Sequence, residues 1–430
     1  MSAQTRHVGI VESNLSGSGF EGLRVARQLG CRVTFFSSGI DRYLSVPGGA
    51  RYLDDYVDEI EYCQTNEFAP LLERAREVHR RRPFSAFFSM AEYEILIAAR
   101  TAAELGVPTA DPESVRIARN KVYMRRRCAQ LGVPMPAFRT VDGAEAAAEA
   151  AREVGLPCVV KPADETSSAD VRRCTTVEEV VDHVAAIRAK RLNVRGQLRY
   201  HEVLVEECVL GYEVSVEVLA DGDLLHVLGV TDKSVGGNNR FVELGHVFPS
   251  LLPEHVRAAC SHVAVDALRA VGFDLGLAHV EMKYSADGPR LIEINPRPAG
   301  DKITELIDRA LDTSCIELVV RQYLGERLNG DVPTTPVRGA AIRFLTADPG
   351  RVVSVSGTEV AAGLPGVCEA VVSVAPGDVV NPLHRNEDRV GHALAVAEDA
   401  YVAARTAEVA VNQMSVVTYL DPTSAPLYSE

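Results

Sequence analysis

The first 112 residues alternate between short apolar runs and amphipathic runs of helical length. HVGIV (7–11), CRVTFFSS (31–38) and AFFSM (86–90) predict strands, and EGLRVARQLG (21–30) has the spacing of a helix. A further helix, carrying Glu92 and Glu94, is predicted after the third strand, and the unit ends at GVPTADPES. Strands that alternate with helices in this way favour an α/β domain over residues 1–112.

The turn SGSG (16–19) before the first helix invites comparison with phosphate-binding glycine loops. Only GSG is present, without a third glycine, and no acidic residue stands where a ribose would be held. A tight turn that leads into a helix is therefore the favoured interpretation.

Residues 113–200 predict a second α/β segment. Residues 113–135 read as one helix with Lys121 near its start, and a lone helical lysine is usually solvated. The strand PCVVKP ends at Lys161, whose direction is fixed by Pro162, so this lysine is expected to meet an anion. A polar loop, DETSSAD (164–170), and a long alanine-rich helix follow.

From residue 201 the pattern changes to antiparallel strands. HEVLVEECV, EVSVEVLA and LLHVLGVTDK predict strands, and residues 278–285 and 290–295 predict a hairpin around the turn ADGP. After about residue 336, VRGAAIRFLTA, VVSVSG and CEAVVSVAPGD predict a small β-rich module that a helix at 398–412 closes. The expected divisions of the chain are 1–112, 113–200, 201–335 and 336–430.

The predicted hairpin carries candidate metal chemistry. Glu281 should lie opposite Glu293 or within one residue of it, and Asn295 shares a face with Glu293 because strand side chains repeat every two residues. Two facing carboxylates repel unless a cation lies between them, and an all-oxygen set suits Mg²⁺. Arg297 follows on a segment stiffened by prolines, where its guanidinium could clamp a phosphate. The simpler alternative is a solvated hairpin with an acidic face.

The segment VLVEECVLGYEVSVE could hold the rest of a nucleotide. Glu206 and Glu207 end a strand, Val209 lies in a short connector whose backbone could meet an adenine edge, and Glu213 could accept ribose hydroxyls. Taken alone, the same segment is also typical of an acidic strand edge.

Composition narrows the class of protein. The chain has 430 residues, of which 47% are hydrophobic, enough for a large core divided into two to four domains. A formal charge of −14 opposes nonspecific nucleic-acid binding, and nine cysteines without a CxxC pair indicate neither a zinc site nor a disulfide framework. Reduced thiols, no leader pattern and no spanning apolar run favour a cytoplasmic protein that binds neither nucleic acid nor membrane.

The order of these features resembles that of the ATP-grasp superfamily across nearly the whole chain. Lys121, VVKP, EExxxGxE and the run from Glu281 to Arg297 carry the resemblance, with LIEINPRPAG as the most specific piece. The segments TDKSVGGNNRFVELGHVFPS and INPRPAGDKI, followed by AIRFLTA and APGD, look most like L-amino-acid ligases of the bacilysin- and dapdiamide-forming kind. The implied fold is α/β, with a Rossmann-like preATP-grasp domain, a two-part clamp of α+β type and a small β-rich C-terminal module.

The resemblance also implies an activity. A carboxylate–amine ligase would bind ATP with Mg²⁺, two ions being expected and Mn²⁺ a conceivable substitute, and would join two amino acids, or an amino acid and an amine, through an acyl phosphate. A homodimer is compatible with the family. The residues implied are Lys121 and Lys161 for phosphates, Glu206, Glu207 and Val209 for adenine, Glu213 for ribose, Glu281, Glu293 and Asn295 for magnesium, and Arg297 for catalysis.

Candidates for substrate binding are less sharply defined. Glu92 lies at a strand end where α/β sheets place ligands, Glu243 and His246 lie in FVELGHVFP, and Gly300 closes the PRPAG segment. His246 could equally be a packed, hydrogen-bonded histidine. The alternatives are a biotin-carboxylase-like or formate-using enzyme and a non-catalytic ATP-binding protein.

One feature departs from the family pattern. The mobile loop that covers phosphate usually carries several glycines, whereas residues 164–170 contain none and carry three acidic side chains. Those side chains are unfavourable beside a triphosphate unless they point outward.

Overall fold

The computed structural model describes residues 5–15, 20–46, 48–236, 241–328 and 332–419. The chain begins with an N-terminal α/β domain. The predicted SGSG turn lies outside the described residues. The domain has a parallel sheet of order β3-β2-β1-β4, as the alternating pattern predicts. Its elements are β1 (His7–Val11), α1 (Glu21–Gln28), β2 (Arg32–Ser37), α2 (Asp41–Leu44), α3 (Gly49–Tyr56), β3 (Glu59–Tyr62), α4 (Phe68–Arg81), β4 (Ala86–Phe88) and α5 (Ile95–Leu105).

The helix predicted to carry Glu92 and Glu94 starts later than expected. Helix α5 begins at Ile95, and Glu94 occupies its N-cap position, because its carbonyl is already bonded by the amide of Ala98. Both glutamates therefore lie in the turn after β4, at the carboxyl edge of a parallel sheet, which is where such sheets bind ligands.

The single helix predicted over 113–135 is wrong. Two helices, α6 (Pro112–Arg119) and α7 (Lys121–Gln130), meet at Asn120, whose backbone is extended. The Asn120 side chain accepts hydrogen bonds from the amides of Val122 and Tyr123 and so caps α7. This break places Lys121 at the first position of a helix rather than within one.

A smaller antiparallel sheet of order β5-β8-β6-β7 forms the next layer. A helix, α9, follows the polar loop as predicted, but the most alanine-rich sequence forms α8, which precedes Lys161. The domain boundaries remain predictions, and β8, which lies past the expected division at 200, pairs with β5 and β6 in this sheet. Its elements are β5 (Phe138–Val141), α8 (Ala144–Val154), β6 (Cys158–Pro162), β7 (Arg172–Cys174), α9 (Val177–Ala189) and β8 (Val203–Glu207).

The central part of the chain contains the long strands and the predicted hairpin. Helix α10, which the sequence pattern did not predict, covers one sheet face with Cys260, Ala264 and Leu268 among its buried residues. The elements are β9 (Tyr212–Asp221), β10 (Leu224–Gly236), β11 (Val242–Phe248), α10 (Glu254–Val271), β12 (Leu275–Ser285), β13 (Gly288–Asn295), α11 (Ile303–Leu311) and α12 (Cys315–Tyr323).

The C-terminal part is β-rich, as predicted, and the expected closing helix is α14. Its elements are β14 (Gly339–Leu345), β15 (Gly350–Ser356), α13 (Thr358–Ala362), β16 (Val367–Val372), β17 (Val379–Val380), β18 (Gly391–Ala397), α14 (Ala400–Gln413) and β19 (Ser415–Tyr419).

One large sheet joins the central and C-terminal parts, in the order β13-β12-β9-β10-β11-β14-β18-β16. Strand β14 pairs antiparallel with β11, so three strands of the C-terminal module extend the central sheet. A core cluster also links α11 and α12 to the N-terminal sheet, for example through the stacked rings of Phe88 and Tyr323. Among the described helices, none is long and apolar enough to cross a membrane.

Candidate active site

A cavity of about 760 Å³ lies where the N-terminal domain, the small sheet, the large sheet and the C-terminal module meet. Of the candidate residues, Asn295 and His246 lie behind its wall. The cavity is lined by Glu92, Lys121, Lys161, Glu206, Glu207, Val209, Glu213, Glu243, Glu281, Glu293, Arg297 and Gly300.

The hairpin register predicted from the sequence is confirmed, because Glu281 lies directly opposite Glu293 across β12 and β13. The Nζ atom of Lys233 is 3.1 Å from Glu281, and that of Lys121 is 2.8 Å from Glu293. The Asn295 amide nitrogen donates to Glu293 at 3.0 Å. Two facing carboxylates are thus each balanced by a buried ammonium.

Burial and the neighbouring charges have opposite effects on the pKa values of Glu281 and Lys121. Burial alone would raise the pKa of Glu281, but the Lys233 ammonium and the neighbouring His279 outweigh it and hold that pKa well below its usual range. Burial likewise disfavours the charged form of Lys121, and Glu293 reverses the effect so that the pKa of Lys121 is raised. Glu281 and Lys121 are therefore both charged near neutral pH.

Lys161 is held by a second buried network. Its Nζ atom is 2.7 Å from Glu206, whose other oxygen lies 2.6 Å from Nε of the fully buried Arg125. Despite burial, these two cations lower the pKa of Glu206 to about 2. The Glu206 side chain is thus committed to Lys161 and Arg125, while the adenine hinge at residues 206–209 stays a prediction.

Arg125 ties three elements together and gave no signal in the sequence beyond its charge. It lies on α7, pairs with Glu206 on β8, and donates to the carbonyls of Leu291 and Ile292 on β13 at 2.8 and 2.9 Å. It therefore fixes α7, which carries Lys121, and β8, whose Glu206 contacts Lys161, relative to the hairpin.

Lys233 is the central cation that the sequence reasoning missed. It is buried on β10, in register with Glu213, and its Nζ lies 2.7 Å from Glu243 and 3.6 Å from Glu213, in addition to its contact with Glu281. Burial outweighs the nearby cations at Glu213 and raises its pKa. The period-two alternation of β10 places Lys233 on the same face as the buried Thr231, which was the available signal.

Glu92 and Arg297 were predicted separately, as an ammonium-binding and a phosphate-binding group, but in the structure they bind each other. Arg297 Nε donates to Glu92, and Arg119 Nε lies 3.6 Å from the same carboxylate. Burial opposes ionisation of Glu92, yet Arg297 and Arg119 still lower its pKa. Neither group is therefore free for a substrate until this ion pair rearranges.

Glu243 and His246 belong to a cluster with Asp301. His246 is completely buried, with Nε2 3.2 Å from Glu243 and 3.8 Å from Asp301. It is packed, as one alternative expected, but neither ring nitrogen forms a hydrogen bond to another described residue. The three side chains are close enough to share one cation. Arg389, contributed by the C-terminal module, forms two 2.8 Å bonds to Asp301 and stacks on Phe344.

The three acidic side chains of the glycine-free loop each bind another part of the protein. Asp164 accepts from the amide of Tyr200 at 2.7 Å, Glu165 pairs with Arg199 at 3.2 Å, and Asp170 pairs with Arg199 at 3.1 Å. Residues 165–169 line the cavity, and Ser167 adopts a positive φ of 54° that side-chain-bearing residues rarely take. Lys121 Nζ donates to the Glu165 carbonyl at 2.9 Å, which anchors the loop beside the hairpin.

Two family models match this chain. One is described as an ATP-grasp domain and matches residues 154–305, and the other, L-amino acid ligase C-terminal domain 2, matches residues 343–419. The first therefore covers most of the clamp and the hairpin, and the second covers the C-terminal module.

Similar proteins cover most of the chain. An uncharacterized protein, y4rH of Sinorhizobium fredii, is 30% identical over 353 residues, which is 80% of this chain and 71% of that protein. A D-alanine–D-alanine ligase of Bordetella petrii is 27% identical over 228 residues, which is 50% of this chain and 67% of that ligase. The ATP-grasp enzyme fsqD of Aspergillus fumigatus is 29% identical over 344 residues, 70% of this chain and 57% of that enzyme.

Solved structures share the fold. The L-amino acid ligase of Bacillus licheniformis superimposes with a TM-score of 0.80 at 18% identity, covering 97% of this chain and 100% of that chain. The biotin carboxylase domain of Hydrogenobacter thermophilus 2-oxoglutarate carboxylase, solved with MgADP and bicarbonate, has a TM-score of 0.71 at 17% identity and covers 96% of this chain and 91% of that chain.

Proposed function

The chain belongs to the ATP-grasp superfamily, among its carboxylate–amine ligases, and we propose that it joins an amino acid to a second amino acid or an amine through an acyl phosphate. The observation that carries this proposal is the convergence of Lys121, Lys161, Arg297 and the facing pair Glu281 and Glu293 on one cavity. Phosphoryl transfer depends on positioned positive charge, and this cavity concentrates it beside two carboxylates suited to a hard metal ion.

The nucleotide would lie between the small sheet and the large sheet. Lys121 and Lys161 bind its phosphates, the backbone of residues 206–209 meets the adenine, and Glu213 accepts the ribose hydroxyls. Buried Lys161 supports this role, since burial lowers its pKa despite Glu206 and an incoming phosphate would supply a further negative charge.

Glu281, Glu293 and Asn295 fit Mg²⁺. Their donors are oxygens, the two carboxylates are cross-strand neighbours at the cavity wall, and the Asn295 nitrogen is already committed to Glu293, which leaves its oxygen as the remaining donor. When bound, the ion would neutralise phosphate charge during transfer. Lys121 and Lys233 lie within ion-pair distance of Glu293 and Glu281, so the two carboxylates are held in place at the wall where the ion would bind.

The chemistry proceeds in two balanced steps. A carboxylate oxygen of the donor attacks the γ-phosphorus of ATP, the bond to the β,γ-bridging oxygen breaks, and ADP leaves. The neutral amine of the acceptor then attacks the acyl carbon, phosphate leaves with the carbon–oxygen bonding pair, and the new amide loses one proton. Arg297 would stabilise the charge on the transferring group once it exchanges Glu92 for phosphate oxygens.

The donor would be oriented by the groups around Arg297. Glu92, Glu243 and the His246–Asp301 cluster supply negative charge that an α-ammonium would satisfy, and Gly300 leaves open space at the cavity wall. The C-terminal module contributes Arg389 and Phe344 to the same wall, so it would share in selecting the substrate side chain.

The test is a matrix of paired amino acids and amines incubated with MgATP, with phosphate release and product mass both recorded. Amide products formed together with ADP and phosphate would support the proposal. Phosphate release that depends on bicarbonate or formate would instead favour a one-carbon transfer enzyme. ATP binding without turnover across the whole matrix would favour a non-catalytic protein.

A further inference from the structure

The cavity continues past the Glu92–Arg297 pair toward the N-terminal domain. Asn14, Leu15 and Tyr93 line this end together with Arg195, which lies between α9 and β8. None of these four residues contacts the carboxylates of the hairpin, and none has a part in the nucleotide assignment above. We call this part of the cavity the Arg195 end.

The backbone of Arg195 is fixed by hydrogen bonds, whereas one nitrogen of its side chain has no hydrogen-bond partner among the described residues. Its amide donates to the Asn193 side chain at 2.9 Å, and its carbonyl accepts from Asn66 of the N-terminal domain. Its Nε atom is buried and has no hydrogen-bond partner in the part of the chain that the structure describes. The nearest carboxylate oxygen belongs to Glu94, at 3.8 Å, which is beyond hydrogen-bond distance.

The side chain of Glu94 also lacks a hydrogen-bond partner for one of its atoms among the described residues. Only 1% of its surface is exposed, and among the described residues its Oε2 atom has no hydrogen-bond partner. Burial, with the nearby Glu12 carboxylate, raises the pKa of Glu94 to about 7. A buried polar group without a partner costs free energy. Arg195 lines the cavity and Glu94 lies next to it, so a ligand that bound the Arg195 guanidinium from the cavity would supply the negative partner that Glu94 does not reach.

We propose that Arg195 binds the α-carboxylate of the acceptor amino acid, with Glu94 behind it as a positioning residue. The inference rests on the proposed ligase function and makes it more specific. The acceptor reacts through its amine, so its carboxylate persists unreacted throughout and needs a cation away from the phosphates. The Arg195 side chain lines the cavity and is 27% exposed, and a guanidinium offers the planar fork that carboxylates bind with two hydrogen bonds. The acceptor is then an amino acid rather than a simple amine.

The deciding experiment compares an acceptor amino acid with its α-carboxamide, which has the same shape and amine but no charge. The wild-type enzyme should favour the amino acid by at least about tenfold in kcat/KM, the lower end of the range for a hydrogen bond to a charged group. Arg195→Gln should bring that ratio close to one by raising KM for the amino acid, with KM for ATP unchanged. Arg195→Lys, which keeps the charge without the fork, should give an intermediate ratio.

Two further variants separate recognition from a structural effect. Arg191→Gln removes an exposed arginine from the same segment and should leave the ratio at its wild-type value. Glu94→Gln should raise KM for the amino acid several-fold without changing kcat. A wild-type ratio near one, or an Arg195→Gln enzyme that slows both acceptors equally and keeps the wild-type ratio, would overturn the inference.

Failure of the ligase proposal would show itself differently. If the wild-type protein formed no amide with any pair, the same amino acid and carboxamide would be titrated calorimetrically into wild-type and Arg195→Gln protein with MgADP present. Tighter binding of the amino acid that disappears in the variant supports the Arg195 end as a carboxylate site. Equal binding of both ligands to both proteins refutes it.

Discussion

At the scale of single residues, the cavity is notable for cations that are already paired. Lys121, Lys161 and Arg297 each contact a buried or half-buried carboxylate, so none is an isolated charge waiting for phosphate. Isolated buried charges are very costly, whereas paired ones can be retained in the free protein. Binding of ATP must then replace or supplement these partners, which makes the glutamates part of the energetics of binding.

Glu293→Gln is expected to lower kcat by about 100-fold or more while the protein remains folded. The substitution keeps the shape but removes one of two facing carboxylates, and with it the charge that would hold the metal ion and Lys121. Steady-state phosphate release at saturating Mg²⁺ measures the effect, and circular dichroism checks folding.

Asp287→Asn is the matched control for that variant, since it removes a carboxylate that is 80% exposed at the turn of the same hairpin. It should retain wild-type activity. Near-normal turnover of Glu293→Gln would remove this residue from the metal assignment.

A double-mutant cycle on Glu92→Gln and Arg297→Lys tests the ion pair that the structure reveals. Because the two side chains bind each other, their effects on kcat/KM should be non-additive, with a coupling energy of about 1 kcal/mol or more. Kinetics of the wild-type, single and double variants give that number. Strictly additive losses would mean that Glu92 acts on the amino-acid substrate independently of Arg297.

At the scale of elements, the loop at 164–170 shows how a segment without glycine can lie beside phosphates. Its acidic side chains are bound by residues of the segment that leads into β8, with Arg199 bridging Glu165 and Asp170. Glu165 also accepts from the Tyr93 hydroxyl at 2.9 Å, which joins the loop to the N-terminal domain. The loop is therefore stabilised from outside the cavity and presents mainly its small residues to it.

Arg199→Gln should raise KM for ATP by on the order of tenfold, because two loop carboxylates lose their shared cation near the triphosphate. Hydrogen exchange of residues 164–170 should become faster. Arg172→Gln, an exposed arginine on β7 with a 3.4 Å contact to Glu179, is the control and should change neither measurement. Unchanged ATP kinetics in Arg199→Gln would show that the loop does not depend on this bridge.

At the scale of the whole molecule, the C-terminal module and the central domain share a sheet. Truncation after residue 335 would remove β14, β18 and β16, together with the part of the cavity wall that carries Phe344 and Arg389. It would leave β11 as an exposed edge strand. We expect the fragment 1–335 to aggregate or fail to fold, as judged by size-exclusion chromatography. A monomeric fragment with full ligase activity would contradict this view of the sheet.

The sequence by itself determined the elements and the hairpin chemistry. Strand alternation is local, so the register of Glu281 against Glu293 followed from a turn and a period of two. The VVKP strand ending at Lys161 and the β-rich C-terminal module followed from the same kind of pattern. The break at Asn120 was missed, because a cap within a helical pattern changes the local spacing very little. Helix α10 was also missed, although its buried residues Val256, Cys260, Val263 and Ala267 recur at helical spacing and gave a signal in the sequence.

Only the tertiary structure decided which charges neutralise one another. Glu92 and Arg297 are 205 residues apart, Arg125 and Glu206 are 81 apart, and Asp301 and Arg389 are 88 apart, so no local period relates them. Their pairing depends on how four units close around one cavity, and buried charges must find partners there or shift their pKa. The same closure left Arg195 and Glu94 side by side without hydrogen-bond partners for Nε and Oε2 among the described residues, which is why the acceptor site became visible only in the folded chain.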